Sequence, residues 1–435
     1  MNIPVVTVGQ SREDLVGGLE RLHGPVTVVR RCAELPELLA ACQSGLARAA
    51  VVADGSEGLT ASLVDRLGAV GVAIIALTDN ADEAARLRKI GVASALTGVE
   101  SAELSDRIAD AVEQLTGAGR RSATWSSLAD TGAALGTVQA EPAVVPDGPG
   151  AGRIIAVWGP VGSPGRTTVA ANIAGEMAAD GKQVLLVDAD SYGASIAAVL
   201  GLLDESAGLA QACRLADQGA LDASALQKVA TPVATKSGTF TVLTGITRAD
   251  RWTELRAPAL ALVLERARQI ADVIVVDTGF CLEADEELSF DTMAPRRNAA
   301  TLRPLELADT IYAVGAADPV GVPRLVRGLA ELEAAVPQAS PLVVMNKVRA
   351  SSVGRSPERQ LQDAWERYGP ACGIETFLPH DPAAADAALL AGSLLLETAP
   401  ESALRRAVRS LVCAPDQQKV KSSVFSSTAG RRSKG

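Results

Sequence analysis

Residues 153–174 read RIIAVWGPVGSPGRTTVAANIA, and this stretch decides the fold. Ile154–Trp158 is an unbroken apolar run of the length of a buried strand. Gly159, Pro160, Gly162, Pro164 and Gly165 then break regular structure, and Thr167 and Thr168 open a helix. A strand feeding a glycine loop and then a helix N-terminus builds an anion cradle. Backbone N–H groups converge on the anion, and the helix dipole places partial positive charge beneath it. The pattern G-x-x-x-x-G-K-[ST] of phosphate-binding loops puts Pro160 at the first glycine, Gly165 at the second and Thr167 at the hydroxyl. Arg166 stands where the lysine would be. The pattern fails twice, so the order of the motifs downstream has to decide.

Downstream lies a series of strands with acidic ends. QVLLVDADSYG delivers Asp188 and Asp190 at the carboxyl end of a strand, where ligands bind in open α/β sheets. A later strand, ADVIVVDTG, delivers Asp277, followed by Thr278-Gly279. Beside a phosphate loop, such a carboxylate orients Mg²⁺, usually through water, while Thr167 offers its hydroxyl to the metal. Then come a strand over Thr310–Val314, a helix over Val322–Ala334, and PLVVMNKVR, which ends a strand in Asn346-Lys347. The alternation predicts α/β architecture with a doubly wound, mostly parallel sheet over residues 151–413.

Residues 1–116 repeat the strand–helix rhythm on a smaller scale. Strands are expected over Pro4–Val8, Val26–Val29, Ala49–Ala53, Ala73–Leu77 and Ala93–Leu96, with helices such as Arg12–Leu22, Glu83–Ile90 and Ala102–Leu115 between them. Five short strands, each followed by a helix, make a flavodoxin-like sheet. The stretch IIALTDNADEAARLRKIGVASALT resembles the second half of a response-regulator receiver domain, with Asp54 at the phospho-acceptor position and Thr78 at the family's hydroxyl. A receiver holds Mg²⁺ with two acidic residues after its first strand, but Gly9-Gln10-Ser11 follows here, and Thr97-Gly98 replaces a lysine. Phosphoryl transfer to Asp54 would lack charge stabilisation. Asp54 reads as a turn or cap residue of a pseudo-receiver. Residues 117–150, rich in Gly, Ala, Ser and Pro with Trp125 the one large anchor, read as a flexible linker.

From 151 to about 413 the series resembles the MinD/ParA group of deviant P-loop ATPases, and within it the actinobacterial septum-site-determining and CpaE/TadZ-like branch. GSPGRTT stands for the phosphate loop, DADSYG for switch I, VVDTG for switch II and VMNKV for the base pocket; LPHDPAAADAALLAG and ETAPES close the series. The resemblance implies ATP or ADP with Mg²⁺. Gly162, Ser163, Gly165, Arg166, Thr167 and Thr168 would wrap the phosphates; Thr167, Asp188 and Asp277 would serve the metal; in catalysis Asp190 would position the attacking water and Arg166 would bring its charge to the phosphates. Asn346 would hydrogen-bond the base, with Pro379, His380 and Asp381 on its other side. Each residue also has a plain reading: strand-end carboxylates or caps for the three aspartates, a turn residue for Asn346, packing for His380, a small buried hydrophobe for Cys281.

The departures concern charge. The group's signature lysine, which crosses to the partner's nucleotide in a sandwich dimer, is Val161 here. Arg166 keeps the other lysine's charge with a bulkier fork of donors, and Pro160 and Pro164 remove two N–H donors. Nucleotide binding is expected to survive and hydrolysis to slow, so a weak ATPase and no ATPase both stay open.

Composition bounds the rest. The chain has 435 residues, of which 48% are hydrophobic and 21% charged, with net charge −10. That gives ample core for two or more domains. It argues against a broad nucleic-acid surface, leaving the Arg405, Arg406 and Arg409 run as the local alternative. Scattered cysteines and an N-terminus without a basic, apolar leader suggest the cytoplasm. The segment ADEELSFDTMAPRRNAAT, from Ala284 to Thr301, reads as a surface loop with Arg296-Arg297 facing outward, reaching a partner or simply solvated. Residues 414–435 read as a disordered basic tail, solubilising or in weak peripheral contact with anionic lipid. By resemblance, the chain is expected to be a homodimeric spatial regulator of septum placement. The alternative is a localisation scaffold for pilus or secretion assembly with little turnover.

Overall fold

The computed structural model describes residues 2–9, 15–22, 24–122, 152–202, 207–284 and 296–412. Strands β1 (Ile3–Val8), β2 (Val26–Cys32), β3 (Ala49–Val52), β4 (Ala73–Leu77) and β5 (Ala93–Ala95) form one sheet in the order β2-β1-β3-β4-β5. All its pairings are parallel. This is the flavodoxin-like order. Every residue of β3 and β4 is buried, as expected for parallel strands covered by helices on both faces. The last helix of this unit, Ser101–Ser122, runs past residue 116 into the stretch whose composition reads as a linker. The remainder of that stretch, including Trp125, lies outside the described residues, as does the tail after 412.

The second sheet comprises β6 (Arg153–Trp158), β7 (Val184–Ala189), β8 (Thr231–Thr235), β9 (Gly238–Leu243), β10 (Val273–Thr278), β11 (Thr310–Ala316), β12 (Pro341–Val348) and β13 (Ile374–Pro379). Their order is β13-β12-β11-β6-β10-β7-β9-β8, and only the β8–β9 edge pairing is antiparallel. The α/β class and the mostly parallel sheet are thus as the sequence implies, apart from this edge hairpin, which it does not announce. Central β6 lies between β10 and β11. Register then sets the chemistry. Asp277 lies opposite Val157 on one side and Asp188 on the other, so two carboxylates share one sheet edge just beyond the loop that leaves β6.

The helix Arg166–Ala179 that follows that loop is buried along almost its whole length. It packs on the sheet with one face, while the C-terminal helix Ala403–Val412 covers another and buries Leu404 and Val408. Beneath the C-terminal helix the buried Glu176 carboxylate accepts from Arg405 Nε at 2.7 Å and Nη2 at 3.2 Å. This pairing turns Arg405 inward, away from the basic surface its sequence run suggests.

The two units touch. Ser62 N, in the first turn of helix Ala61–Ala69, donates to Asp217 Oδ1 at 2.7 Å. Arg86 Nη1 reaches both Leu59 O (2.9 Å) and Gln218 O (3.1 Å), and Leu262 packs against the first unit's core. Among the described residues no helix is long and apolar enough to cross a membrane.

Candidate functional site

The loop between β6 and the Arg166–Ala179 helix turns through three left-handed residues, Gly162 (φ 115°), Ser163 (φ 52°) and Gly165 (φ 104°). At Gly165 any side chain is excluded twice over: by φ, and because a Cβ would lie 2.3 Å from Asn346 Nδ2. The loop lines a cavity of about 680 Å³ whose other walls include Thr167, Thr168, Asp190, Asn346, Pro379 and Asp381.

The aspartates converge. Thr167 Oγ1 donates to Asp277 Oδ2 at 2.6 Å, and Ser195 Oγ lies 3.4 Å from Thr167 Oγ1. Asp188 accepts from Ser195 N and Ile196 N at 2.9 Å each and from Asp190 N at 3.3 Å. Asp190 holds the next turn through Tyr192 N (2.8 Å) and Gly193 N (3.1 Å), and its second oxygen meets Arg166 Nη2 at 3.3 Å. Arg166 folds back on its own loop, with Nη1 on Gly159 O and Pro160 O, and its buried Nε has no partner.

Electrostatics mark the pair on β7 and β10. Burial pushes the Asp188 carboxyl up to about 7; the nearby Asp190 charge adds to the rise, and the N–H donors of Ile196, Asp190 and Ser195 oppose it. Burial, then the Asp188 charge, hold Asp277 well above the usual carboxylate range against the pull of Thr167 and Arg166. Asp277 Oδ1 is buried without a partner. An orphaned carboxylate oxygen beside a threonine hydroxyl fits Mg²⁺, which takes hard oxygens and completes its shell with phosphate and water. Among the described residues no three His, Cys, Asp or Glu side chains form a metal site by themselves. A metal here would therefore share its ligands with a phosphate.

The base-pocket residues are placed differently. Asn346 lies beside the loop, but its amide is engaged: Nδ2 donates to Pro164 O at 2.7 Å and Oδ1 accepts from Lys347 N at 2.8 Å. Asp381 caps the Pro382–Ala391 helix by accepting from Ala384 N. His380 N is paired with Val348 O, and Cys281 is partly exposed rather than buried.

Two features are not legible in the sequence. Lys347 adopts left-handed backbone (φ 59°) and donates Nζ to Ser163 O at 2.8 Å, a second tether on the loop. Arg297 turns inward: its guanidinium lies 3.8 Å over the Tyr192 ring, and Nη2 reaches Ser191 O at 2.8 Å. Tyr192 also stacks near Phe280 and donates its hydroxyl to Asn298 Oδ1, which ties the turns after β7 and β10 together. The outward reach expected of Arg297 is therefore replaced by a packing role; residues 285–295 of that segment lie outside the described residues.

Comparison with known proteins finds likenesses of fold. A ParA model described as NUBPL iron-transfer P-loop NTPase matches residues 150–239. No curated protein matches the sequence. Among solved structures, the ParA family ATPase from Chlorobium tepidum aligns at 18% identity and TM-score 0.50, over 60% of this chain and 99% of that one. The cell division ATPase MinD of Pyrococcus furiosus aligns at 20% identity and TM-score 0.46, over 60% and 97%. The septum site-determining protein MinD of Pyrococcus horikoshii, complexed with Mg-ADP, gives 20%, 0.46, 62% and 96%. Over 60% of its length the chain has the fold of the ParA family ATPase, a P-loop NTPase fold.

Proposed function

We propose that the chain is a nucleotide-dependent spatial regulator that binds ATP or ADP with Mg²⁺ in the cradle after β6. One observation carries the reading: beside a glycine loop, Asp277 accepts from Thr167, lies in register with Asp188, and keeps its second oxygen buried without a partner. Thr167 and Asp277 would hold Mg²⁺, which supplies charge neutralisation on the phosphates. Asp188 orders the 188–196 turn by accepting from the N–H groups of Asp190, Ser195 and Ile196, and so fixes Asp190 at the cavity wall. Asp190 then orients the attacking water, and Arg166, released from the Gly159 and Pro160 carbonyls, binds phosphate. A nucleotide that favours one arrangement of the Asp190–Ser195 turn shifts the population of states that differ in partner affinity.

On this reading the protein works as a homodimer, with residues 1–116 as a receiver-like recruiting module and 151–413 as the switch. Its partners are division proteins at the septum. The membrane contact, if used, comes from the basic tail at the inner face of the plasma membrane. A second reading, a pilus or secretion scaffold with little turnover, is favoured by Val161, which stands 53% exposed at the loop tip where no charge can bridge two nucleotides.

Phosphate release measured beside Asp190→Ala separates the two. Release above that control supports the switch, and release equal to it supports the scaffold. For the cradle itself, saturating Mg-ATP at about a hundredfold above Kd should stabilise the protein by about 2.7 kcal/mol. A melting temperature that Mg-ATP leaves unmoved would refute it.

A further inference from the structure

The cradle is short of positive charge. Three carboxylates, Asp188, Asp190 and Asp277, lie there; Arg166 is bound to Asp190, the Lys347 ammonium is bound to the Ser163 carbonyl, and Val161 carries no charge. A further cation stands at the loop, supplied from another element. Helix Gly321–Ala335 packs against the start of the loop: a Cβ on Gly328 would lie 3.0 Å from the Trp158 ring and 3.5 Å from Pro160. Leu325 is fully buried and seats the same helix on Gly315, where a Cβ would lie 2.4 Å from Leu325 Cδ2. One turn before Gly328, on the same face, is Arg324. Its Nη1 lies 2.6 Å from where a Cβ on Gly162 would be, so the guanidinium rests directly on the loop. Among the described residues that guanidinium has no ion pair and no hydrogen bond. Its neighbour Arg327, by contrast, donates to Pro323 O.

We propose that Arg324 is a phosphate-binding residue that supplies, within one chain, the charge that Val161 leaves out. Its ligand is the polyphosphate of a nucleoside di- or triphosphate. The arrangement fits: a planar fork of donors is suited to two phosphate oxygens, and an unpaired arginine gives up no partner on binding. Gly162 turns the loop beneath the guanidinium in left-handed backbone (φ 115°), which a side chain would strain. The proposal rests on the nucleotide reading above.

The test is calorimetric titration with Mg-ATP and Mg-ADP of the full-length protein and of Arg324→Ala, Arg324→Lys and Arg327→Ala. If the wild type binds, Arg324→Ala should weaken binding at least tenfold, Arg324→Lys should recover part of the loss, and Arg327→Ala should stay within twofold. An Arg324→Ala constant within twofold of wild type overturns the assignment while leaving the cradle intact. So does an equal loss in Arg327→Ala, which would point to general surface charge. A wild type that binds neither nucleotide removes the cradle reading and this proposal together.

Discussion

Lys347 and Ser163 are the two non-glycine residues with left-handed backbone among those described, and they are bonded to each other, Nζ to carbonyl oxygen at 2.8 Å. Each such conformation costs on the order of 1 kcal/mol. The tether and the Asn346–Pro164 bond therefore hold the loop in a shape it would otherwise leave.

Lys347→Met keeps most of the stem and removes the donor. Nucleotide affinity is expected to fall three- to tenfold, which corresponds to about 1 kcal/mol for a partly exposed charged donor. The melting temperature of the nucleotide-free protein should move by less than about 2 °C, because the loop is not part of the core. Titration and thermal scans on the same preparation check both parts. A large thermal loss with unchanged affinity would contradict the tether.

Asp277 is costly to the fold when the site holds no cation. Its carboxyl and that of Asp188 are raised, mainly by burial. A carboxyl raised in the folded state stabilises below its unfolded value, near 4, and that contribution is lost as pH climbs through the folded value, about 7 for Asp188. Asp277→Asn should therefore stabilise the nucleotide-free protein, by on the order of 1 kcal/mol at pH 8, and the gain should shrink towards pH 5. The same variant should lose the extra stabilisation that Mg²⁺ adds to ATP. Denaturant midpoints at pH 5, 6.5 and 8 decide it; a gain that is constant across pH would mean that Asp277 is not the group responsible.

The contact between the two units has a small polar centre. Asp217 accepts from Ser62 N at the start of a helix, where a negative charge is favoured, and Arg86 bridges Ser56 O, Leu59 O and Gln218 O. Asp217→Ala combined with Arg86→Ala removes both links and should leave each sheet intact. Scanning calorimetry should then show the smaller unit melting earlier, by roughly 1–2 kcal/mol of lost coupling, with the larger transition unmoved. Joint displacement of both transitions would show that the units fold as one.

Distance along the chain decides how much of this fold and site is legible in the sequence. Apolar runs and Gly/Pro breaks are local, so the first sheet, strands β6, β7, β10, β11 and β12 of the second, and the loop–helix junction can be read directly, whereas the β8–β9 hairpin and β13 cannot. The convergence of Asp188 and Asp277 can also be anticipated, because both end strands of one parallel sheet. Asn346 and Lys347 cannot be placed, since their side-chain hydrogen bonds depend on the approach of β12 to a loop that lies 182 residues away for the Asn346–Pro164 bond and 184 for Lys347–Ser163. Arg297 defeats a local reading for a related reason: a dibasic pair in a polar stretch looks exposed, and nothing nearby in sequence reveals the Tyr192 ring that receives it. The departure of Arg166 from lysine is visible; that its fork turns back on Gly159 and Pro160 is not.

Arg405 shows how charge can mislead when read from sequence. It sits in a basic run with Arg406 and Arg409, yet its guanidinium grips Glu176, whose side chain is only 3% exposed, through two hydrogen bonds. Arg406 is 63% exposed and its partner Glu401 is 92% exposed. Arg405→Ala should therefore leave the buried carboxylate with only the Arg409 guanidinium, 4.0 Å away, and cost about 2 kcal/mol, whereas Arg406→Ala should cost less than about 0.5 kcal/mol. Glu176→Leu combined with Arg405→Leu should recover most of the loss, because a matched apolar pair replaces a buried ion pair well. Urea midpoints of the three variants test the assignment. Equal small losses for Arg405→Ala and Arg406→Ala would mean that Glu176 gains nothing from its partner. With the expected result, a localisation defect in an Arg405 variant would report failed folding of the C-terminal helix onto the Arg166–Ala179 helix, and would carry no information about nucleic acid.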